Sequence, residues 1–287
     1  MIRSFIVSFL LLSTAAFAGD PTLKDQVNAL FRDRKWPEAQ ALLEQVVTAE
    51  PANAEAHFFL GMSFLNRNDA EHAIPPLEKA AALAPANSSY VRHVGDAYGV
   101  AAQKAGLFAK MEWAKKCKAA YEKAVELDPK DINARWSAME FYRLAPGFLG
   151  GGMEGAYAQA AEIKKLDHVR GLGAYSLLYV ADKKYAEAFG LYEEVLKDTP
   201  DDYGTLLQIG RLAGISGERL DQGLGALQRC LTLTPPPNQP DHSRVHWRMG
   251  TILEKKNDKA GARAAYEAAL AIDPKFPQAL ESLAKLK

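Results

Sequence analysis

Two groups of residues in this sequence have the types and spacing that support specific chemistry. Gly150, Gly152 and Gly155 form a G-x-G-x-x-G pattern that runs into a helical segment, as a dinucleotide-binding fingerprint does. His242 and His246 stand four residues apart, a spacing that can hold a metal ion on one helix face. Each possibility depends on the elements that position these residues.

The elements around the glycines do not fit a dinucleotide site. Such a fingerprint needs a β-strand before the glycines and a βαβ unit around them. The preceding segment instead places Ile132, Trp136, Met139 and Tyr142 at helical spacing, and Pro146 ends that helix. We interpret the glycines as a turn between two helices, and we predict no nucleotide cofactor.

The histidines and cysteines also favour structural interpretations. Asp241 is the only additional ligand type beside His242 and His246, so we expect a solvated helix start and no metal site. Cys117 and Cys230 are predicted to be buried thiols that lie too far apart for a disulfide. No G-x-S-x-G, H-E-x-x-H or C-x-x-C motif occurs, so the sequence predicts a protein that is not an enzyme. A site assembled from distant segments would leave no local motif and stays an alternative.

The N-terminus has the three parts of a secretory signal peptide. Arg3 precedes an apolar run from Phe5 to Leu12, and Ala16-Phe17-Ala18 forms an A-x-A cleavage site. The run is shorter than the roughly 18 residues that indicate a membrane span. We expect residues 1–18 to be removed and the mature chain, residues 19–287, to be periplasmic or secreted.

The charge of the mature chain is balanced. Removing Arg3 leaves 34 basic residues against 35 acidic ones. Nucleic-acid-binding proteins usually carry a basic patch or stripe, so we predict no nucleic-acid partner. The same balance predicts no polybasic membrane binder, and we expect no membrane span.

Prolines mark an internal repeat. Pro51 and Pro85 are 34 residues apart, and Pro129, Pro200 and Pro274 close similar segments. The unit that ends at Pro85 shows the pattern best, with Leu60, Gly61, Phe64, Ala73, Leu77 and Ala80. At helical spacing these residues form the facing sides of two helices.

This pattern resembles the tetratricopeptide repeat (TPR) family, and the resemblance covers nearly all of residues 19–287. It implies an all-α, right-handed superhelical solenoid of about seven helix hairpins with a C-terminal capping helix. Gly61 is expected where two helices cross closely. We therefore expect Gly61→Leu to destabilise the protein, and Gly151→Ala, in the glycine-rich turn, to cost much less.

Two insertions, near 99–116 and 145–155, lengthen the third and fourth units. Insertions at the same point of neighbouring repeats emerge on one edge. We expect this edge to gather exposed apolar side chains that bind a partner: Phe108, Trp113, Phe148, Leu149 and Met153. Packing of the inserts on each other is the alternative, and it is favoured for Trp113. The segments "APGFLGGG" and "AKKCKAAYEKAVELDP" are similar to secreted bacterial TPR proteins, a resemblance that implies architecture and no activity.

The resemblance also implies a concave groove lined by the first helix of each repeat. Carried onto this chain, the groove positions are Phe58, Met62, Arg92, His93, Asp96, Trp136, Glu140, Arg143, Arg211, Trp247 and Arg248. The TPR clamp for C-terminal carboxylates uses asparagines, and Met62, Asp96 and Glu140 stand in their places, so we do not expect that activity.

These observations favour a non-catalytic protein-interaction scaffold of the bacterial envelope. It would bind a protein or peptide through the groove or the insert-bearing edge. The alternatives are an assembly or secretion accessory protein that works through the edge, and an enzyme or small-ligand binder with a site between inserts and solenoid.

Overall fold

The structure, a computed structural model, describes residues 22–286. The predicted signal peptide and its cleavage site therefore lie outside the described residues. The described part contains fifteen α-helices, one short 3-10 helix and no β-strand. The α-helices are α1 Leu23–Arg32, α2 Trp36–Ala49, α3 Ala54–Leu65, α4 Ala70–Leu83, α5 Ser88–Lys104, α6 Leu107–Leu127, α7 Ile132–Leu144, α8 Met153–Leu166, α9 His168–Ala181, α10 Tyr185–Asp198, α11 Tyr203–Ser216, α12 Leu220–Leu231, α13 His242–Lys255, α14 Lys259–Ile272 and α15 Pro277–Lys285.

The helices pair in chain order into seven hairpins, here called units one to seven, from α1–α2 to α13–α14. The second helix of each unit packs on the first helix of the next, and α15 packs on α14. Phe276 and Ala279 at the start of α15 are buried against Ala269 of α14. The all-α repeat solenoid with a C-terminal capping helix is confirmed.

Local sequence sets the helix starts. In most units an Asn or Asp side chain accepts a hydrogen bond from a backbone N–H in the first turn, which satisfies a donor that the helix cannot. These caps are Asn53, Asp69, Asn87, Asp131, Asp167, Asp202, Asp241 and Asp258.

Glycines let the two helices of a unit approach closely. A Cβ at Gly61 would lie 2.4 Å from the Leu77 side chain, so Leu77 occupies the space that any side chain at position 61 needs. Gly210 receives Leu227 in the same way, at 2.3 Å. The predicted close crossing at Gly61 is confirmed by this contact.

Units three and four depart from the regular hairpin. In units one, two, five and seven a single left-handed residue closes the turn, as Asn68 does in unit two. In unit three the chain turns at Gly106 between the long helices α5 and α6. In unit four residues 145–152 form a longer connection that contains the 3-10 helix Gly147–Leu149. The glycine-rich segment is thus a turn between two helices, as predicted.

Within residues 22–286, no helix has both the length and the apolar character that crossing a bilayer requires.

Candidate interaction site

Trp136, on the first helix of unit four, lies where three cavities adjoin. The first, the insert cavity, has a volume of about 450 Å³ between α5, α6 and α7. The second, the arginine cleft, holds about 400 Å³ between Arg92 and Arg170. The third, the central groove, holds about 590 Å³ and extends along units five and six to Arg211. The concave positions predicted from the sequence therefore include residues that border real cavities.

A buried polar network forms one wall of the insert cavity. Arg92 Nη1 donates to Asp96 Oδ2 at 3.0 Å, and Tyr121 Oη donates to Asp96 Oδ1 at 2.8 Å. Burial, followed by the Asp96 charge, raises the pKa of Tyr121 far above its ordinary value. Both side-chain oxygens of Asp96 are thus engaged, so Asp96 acts as a structural acceptor.

His93 and Cys117 lie beside this network. His93 Nδ1 lies 2.7 Å from the Ser89 carbonyl oxygen and Nε2 lies 2.7 Å from Arg92 Nη2, so the ring is neutral with the proton on Nδ1. Burial and then the Arg92 charge lower the pKa of His93. Cys117 borders the cavity, and burial raises its pKa to about 12, which keeps it a thiol. Both cysteines are free and buried, as expected.

Two arginines of the concave side face neutral partners. Arg170 Nη2 donates to Asn133 Oδ1 at 2.8 Å, and Arg211 Nη1 donates to Gln208 Oε1 at 3.3 Å. Burial, and then the charges of Arg211 and Arg244, lower the pKa of Arg248 to about 10. The guanidinium groups of Arg211, Arg244 and Arg248 therefore repel one another. Arg170 and Arg211, which face neutral partners, retain the capacity to bind an anion. Arg143 differs, because its Nη2 donates to Glu140 Oε2 at 2.5 Å.

Several predicted groove residues pack within the protein. Phe58 stacks on Tyr90 with ring centroids 4.7 Å apart, and its edge meets His93. Met62 packs against the apolar core of unit two. Trp247 contacts Phe276 and donates from Nε1 to Ser282 Oγ at 3.2 Å. Trp247 thus holds the capping helix, a role that the repeat pattern does not predict because α15 lies outside the repeat.

The insert edge differs from the predicted apolar cluster. Phe108 and Phe148 are exposed, but Leu149 is buried because the 3-10 turn folds it onto α6 and into the wall of the insert cavity. Trp113 packs on Tyr98 at 5.5 Å, the alternative favoured for it. Met153 packs on the core of unit four. The expectation of an exposed cluster is therefore wrong for Leu149 and Met153, and the packing alternative favoured for Trp113 is confirmed.

Profiles of the tetratricopeptide repeat match residues 24–88, 99–131 and 243–276. The chain is a tetratricopeptide repeat protein. No curated protein matches its sequence.

Solved structures show the same fold in other TPR proteins. The chain is similar to a TPR protein from Parabacteroides merdae, with 15% identity, a TM-score of 0.60, and coverage of 92% of this chain and 96% of that one. Part of a TPR repeat-containing protein from Cytophaga hutchinsonii gives 14% identity and a TM-score of 0.55, with 91% and 99% covered. Yeast Tom70 gives 16% identity and a TM-score of 0.60 over 89% of this chain and 52% of Tom70.

Sequence reasoning missed two residues of this TPR protein. Arg170 borders the arginine cleft, and the signal that could have found it is its place in the first turn of α9, the first helix of unit five. Leu144, the last residue of α7, is exposed beside the insert cavity. TPR repeats mediate protein–protein interaction in general, and the aromatic and arginine side chains on these cavities are of the kind that protein partners bury.

Proposed function

We propose that this TPR protein is a non-catalytic scaffold of the bacterial envelope that binds a protein partner on its concave side around Trp136. The observation that carries this proposal is the meeting of three cavities at one tryptophan. Tryptophan and arginine dominate binding energy when a partner buries them. Arg170 in the cleft and Arg211 in the groove flank Trp136. Within residues 22–286 their hydrogen-bond partners are the neutral side chains of Asn133 and Gln208 and not carboxylates.

The shape of the site supports a peptide segment as the bound element. The adjoining cavities continue from unit three to unit six, and repeat solenoids use such extended surfaces to bind peptides or helices. The central groove is largely apolar, with Leu172, Leu177 and Val195 among its walls. Apolar side chains of a partner would lie there while its polar groups reach Arg211.

The envelope location rests on the signal-peptide pattern of residues 1–18. Arg3, the apolar run and Ala16-Phe17-Ala18 support export of a chain that begins at Gly19. A partner in the same compartment is then expected.

The test is an affinity pull-down from envelope extract. Its baits are three forms of the chain that begins at Gly19: the unmodified form, Trp136→Ala and Trp113→Ala. We expect the unmodified form to recover one stoichiometric protein and Trp136→Ala to lose it. Trp113→Ala is the matched control, because Trp113 is also partly buried but borders none of the three cavities. Equal recovery by Trp136→Ala and the unmodified chain would contradict the concave site, and a loss confined to Trp113→Ala would place binding elsewhere.

A further inference from the structure

The turns of units three and four expose four large apolar side chains, here called the tip patch: Leu107, Phe108, Leu144 and Phe148. Phe108 is 87% exposed and Phe148 is 70% exposed, while Leu107 and Leu144 are each 67% exposed. These are among the most exposed large apolar residues that the structure describes. A single exposed apolar residue is ordinary, but a contiguous group of them marks a site that interacts with another protein or with a membrane.

The four residues lie at one edge of the solenoid. Both turns join the first helix of a unit to its second helix, so they emerge on the same side. Lys110 and Leu144 border the same cavity, and Leu107 precedes Lys110 by one helical turn. Phe148 is next to Leu149, which borders that cavity too. The tip patch is therefore continuous around the mouth of the insert cavity.

The α6 end of the tip patch stands forward of the neighbouring turns. Helix α6 has 21 residues, whereas the second helices of units one, two, four, five and seven have 14. At 1.5 Å per residue the additional residues lengthen α6 by about 10 Å. Leu107 and Phe108 are the first residues of this helix, so they occupy its protruding end.

Both tips lack acidic residues. No Asp or Glu occurs in residues 97–111 or 141–153, whereas Lys104 and Lys110 do; Arg143 lies there too, but it pairs with Glu140. Lys110 is exposed at the start of α6, and Gly106 leaves the first N–H groups of that helix without a side-chain cap. A helix N-terminus carries partial positive charge, which adds to the charge of Lys110.

The opposite edge, formed by the connections between units, is acidic. Its residues include two basic side chains, Lys130 and Lys275, and eight acidic ones: Glu50, Asp128, Asp131, Asp167, Asp201, Asp202, Asp241 and Asp273. The balanced charge of the whole chain thus conceals an uneven distribution. An anionic surface would attract the edge with the tip patch and repel the other one.

We propose that the tip patch docks on a membrane surface that contains anionic phospholipid. Leu107, Phe108, Leu144 and Phe148 would enter the boundary between headgroups and acyl chains, and Lys110 would lie among the phosphates. A lipid surface is favoured over a protein partner because Leu107 and Phe108 protrude and the patch combines apolar side chains with the positive charge of Lys110. This inference goes beyond the proposed protein partner: the tip patch lies at the mouth of the insert cavity, whereas Arg170 and Arg211 border the other two cavities.

The test measures partition of the chain beginning at Gly19 onto lipid vesicles by co-sedimentation. This form retains every described helix and lacks the apolar N-terminal run, which would itself bind lipid. We expect binding to phosphatidylethanolamine vesicles with about one quarter phosphatidylglycerol, and much weaker binding to phosphatidylcholine vesicles. Phe108→Ser combined with Phe148→Ser should lower the partition coefficient at least about tenfold, with helicity and melting temperature unchanged.

Two further variants separate the contributions. Lys110→Glu should lower binding to anionic vesicles about tenfold and leave the weak binding to phosphatidylcholine unchanged. The matched control, Val169→Ser combined with Ile272→Ser, removes exposed apolar residues at the acidic edge and should leave binding unchanged.

Two results would overturn the proposal. One is a chain that fails to bind the anionic vesicles, or binds them equally well with and without the phenylalanines of the tip patch. The other is a protein recovered from envelope extract that the tip variant loses, without vesicle binding by either form. That second result would make the tip patch a protein-docking surface.

Discussion

Gly151 lies against the carbonyl oxygen of Ala145, and a β-carbon at Gly151 would stand 1.8 Å from that oxygen. The contact arises because the turn of unit four folds back onto the end of α7, where the Gly152 N–H donates to the Tyr142 carbonyl oxygen at 2.7 Å. Gly151 is therefore required for a close backbone crossing. The sequence-based expectation that Gly151→Ala is mild is contradicted by this distance.

We predict that Gly151→Ala lowers the free energy of unfolding by about 2 kcal/mol or more, because the clashing atom belongs to backbone that cannot move aside. Gly61→Leu should cost about 1–3 kcal/mol, since Leu77 already fills the space at that crossing. Urea unfolding monitored by circular dichroism measures both. Gly147→Ala, in the same turn with nothing within 4 Å of its Cβ position, is the control. A loss no larger for Gly151→Ala than for Gly147→Ala would show that the turn follows another path.

Substitutions at the adjacent residues Phe148 and Leu149 of the 3-10 turn should differ sharply in their effect on the free energy of unfolding. Leu149→Ser should cost about 2–3 kcal/mol, because it removes a buried side chain that is only 8% exposed. Phe148→Ser should change stability by less than about 0.5 kcal/mol, because Phe148 is exposed. Thermal melts of the two single variants test this, and equal losses would mean that Phe148 also packs within the protein.

The buried thiols predict a loss of stability at alkaline pH. Burial raises the pKa of Cys117 to about 12 and that of Cys230 to about 11, from an ordinary value of 9.0. Above about pH 9 the unfolded chain releases these protons and the native chain keeps them, so stability is full below pH 9 and falls as pH rises toward 11. The loss at pH 10 should be about 1 kcal/mol per thiol.

The control for this pH dependence is the double variant Cys117→Ala with Cys230→Ala. Its urea midpoint should fall less between pH 8 and pH 10 than that of the unmodified protein. A parallel fall in both proteins would assign the alkaline loss to other groups, the buried tyrosines among them.

Export is the fourth prediction. The protein recovered from the extracytoplasmic fraction should begin at Gly19, because Ala16 and Ala18 provide the small residues that a cleavage site needs. N-terminal sequencing measures this directly. A chain that begins at Met1, or one found only inside the cell, would contradict the envelope location.

The fold was predictable because its determinants are local and repeated. The close contact of Gly61 with Leu77 has counterparts in Gly210 with Leu227 and Gly250 with Tyr266, and each occurrence supports the same hairpin. The site was less predictable because it depends on the orientation of individual side chains. Leu149 points inward and Phe148 outward from one short turn, and no periodicity distinguishes two neighbours in a three-residue helix.

Non-local contacts explain the other errors. Trp247 stands at a groove position in the repeat pattern, but the capping helix covers it through Phe276 and Ser282. The close approach of Gly151 to Ala145 depends on the path of the entire connection. The composition of a segment sets neither contact.

The most direct test of the concave site is photocrosslinking in the cells that naturally produce the protein, with a photoreactive phenylalanine derivative at one glycine at a time. Gly173 borders both the arginine cleft and the central groove, and Gly190 lies exposed on a second helix away from the three cavities. Both positions have nothing within 4 Å of a Cβ, so both tolerate the replacement. The proposed function predicts one crosslinked protein from position 173 and none from position 190. Crosslinks from position 190 alone, or from neither position, would contradict it.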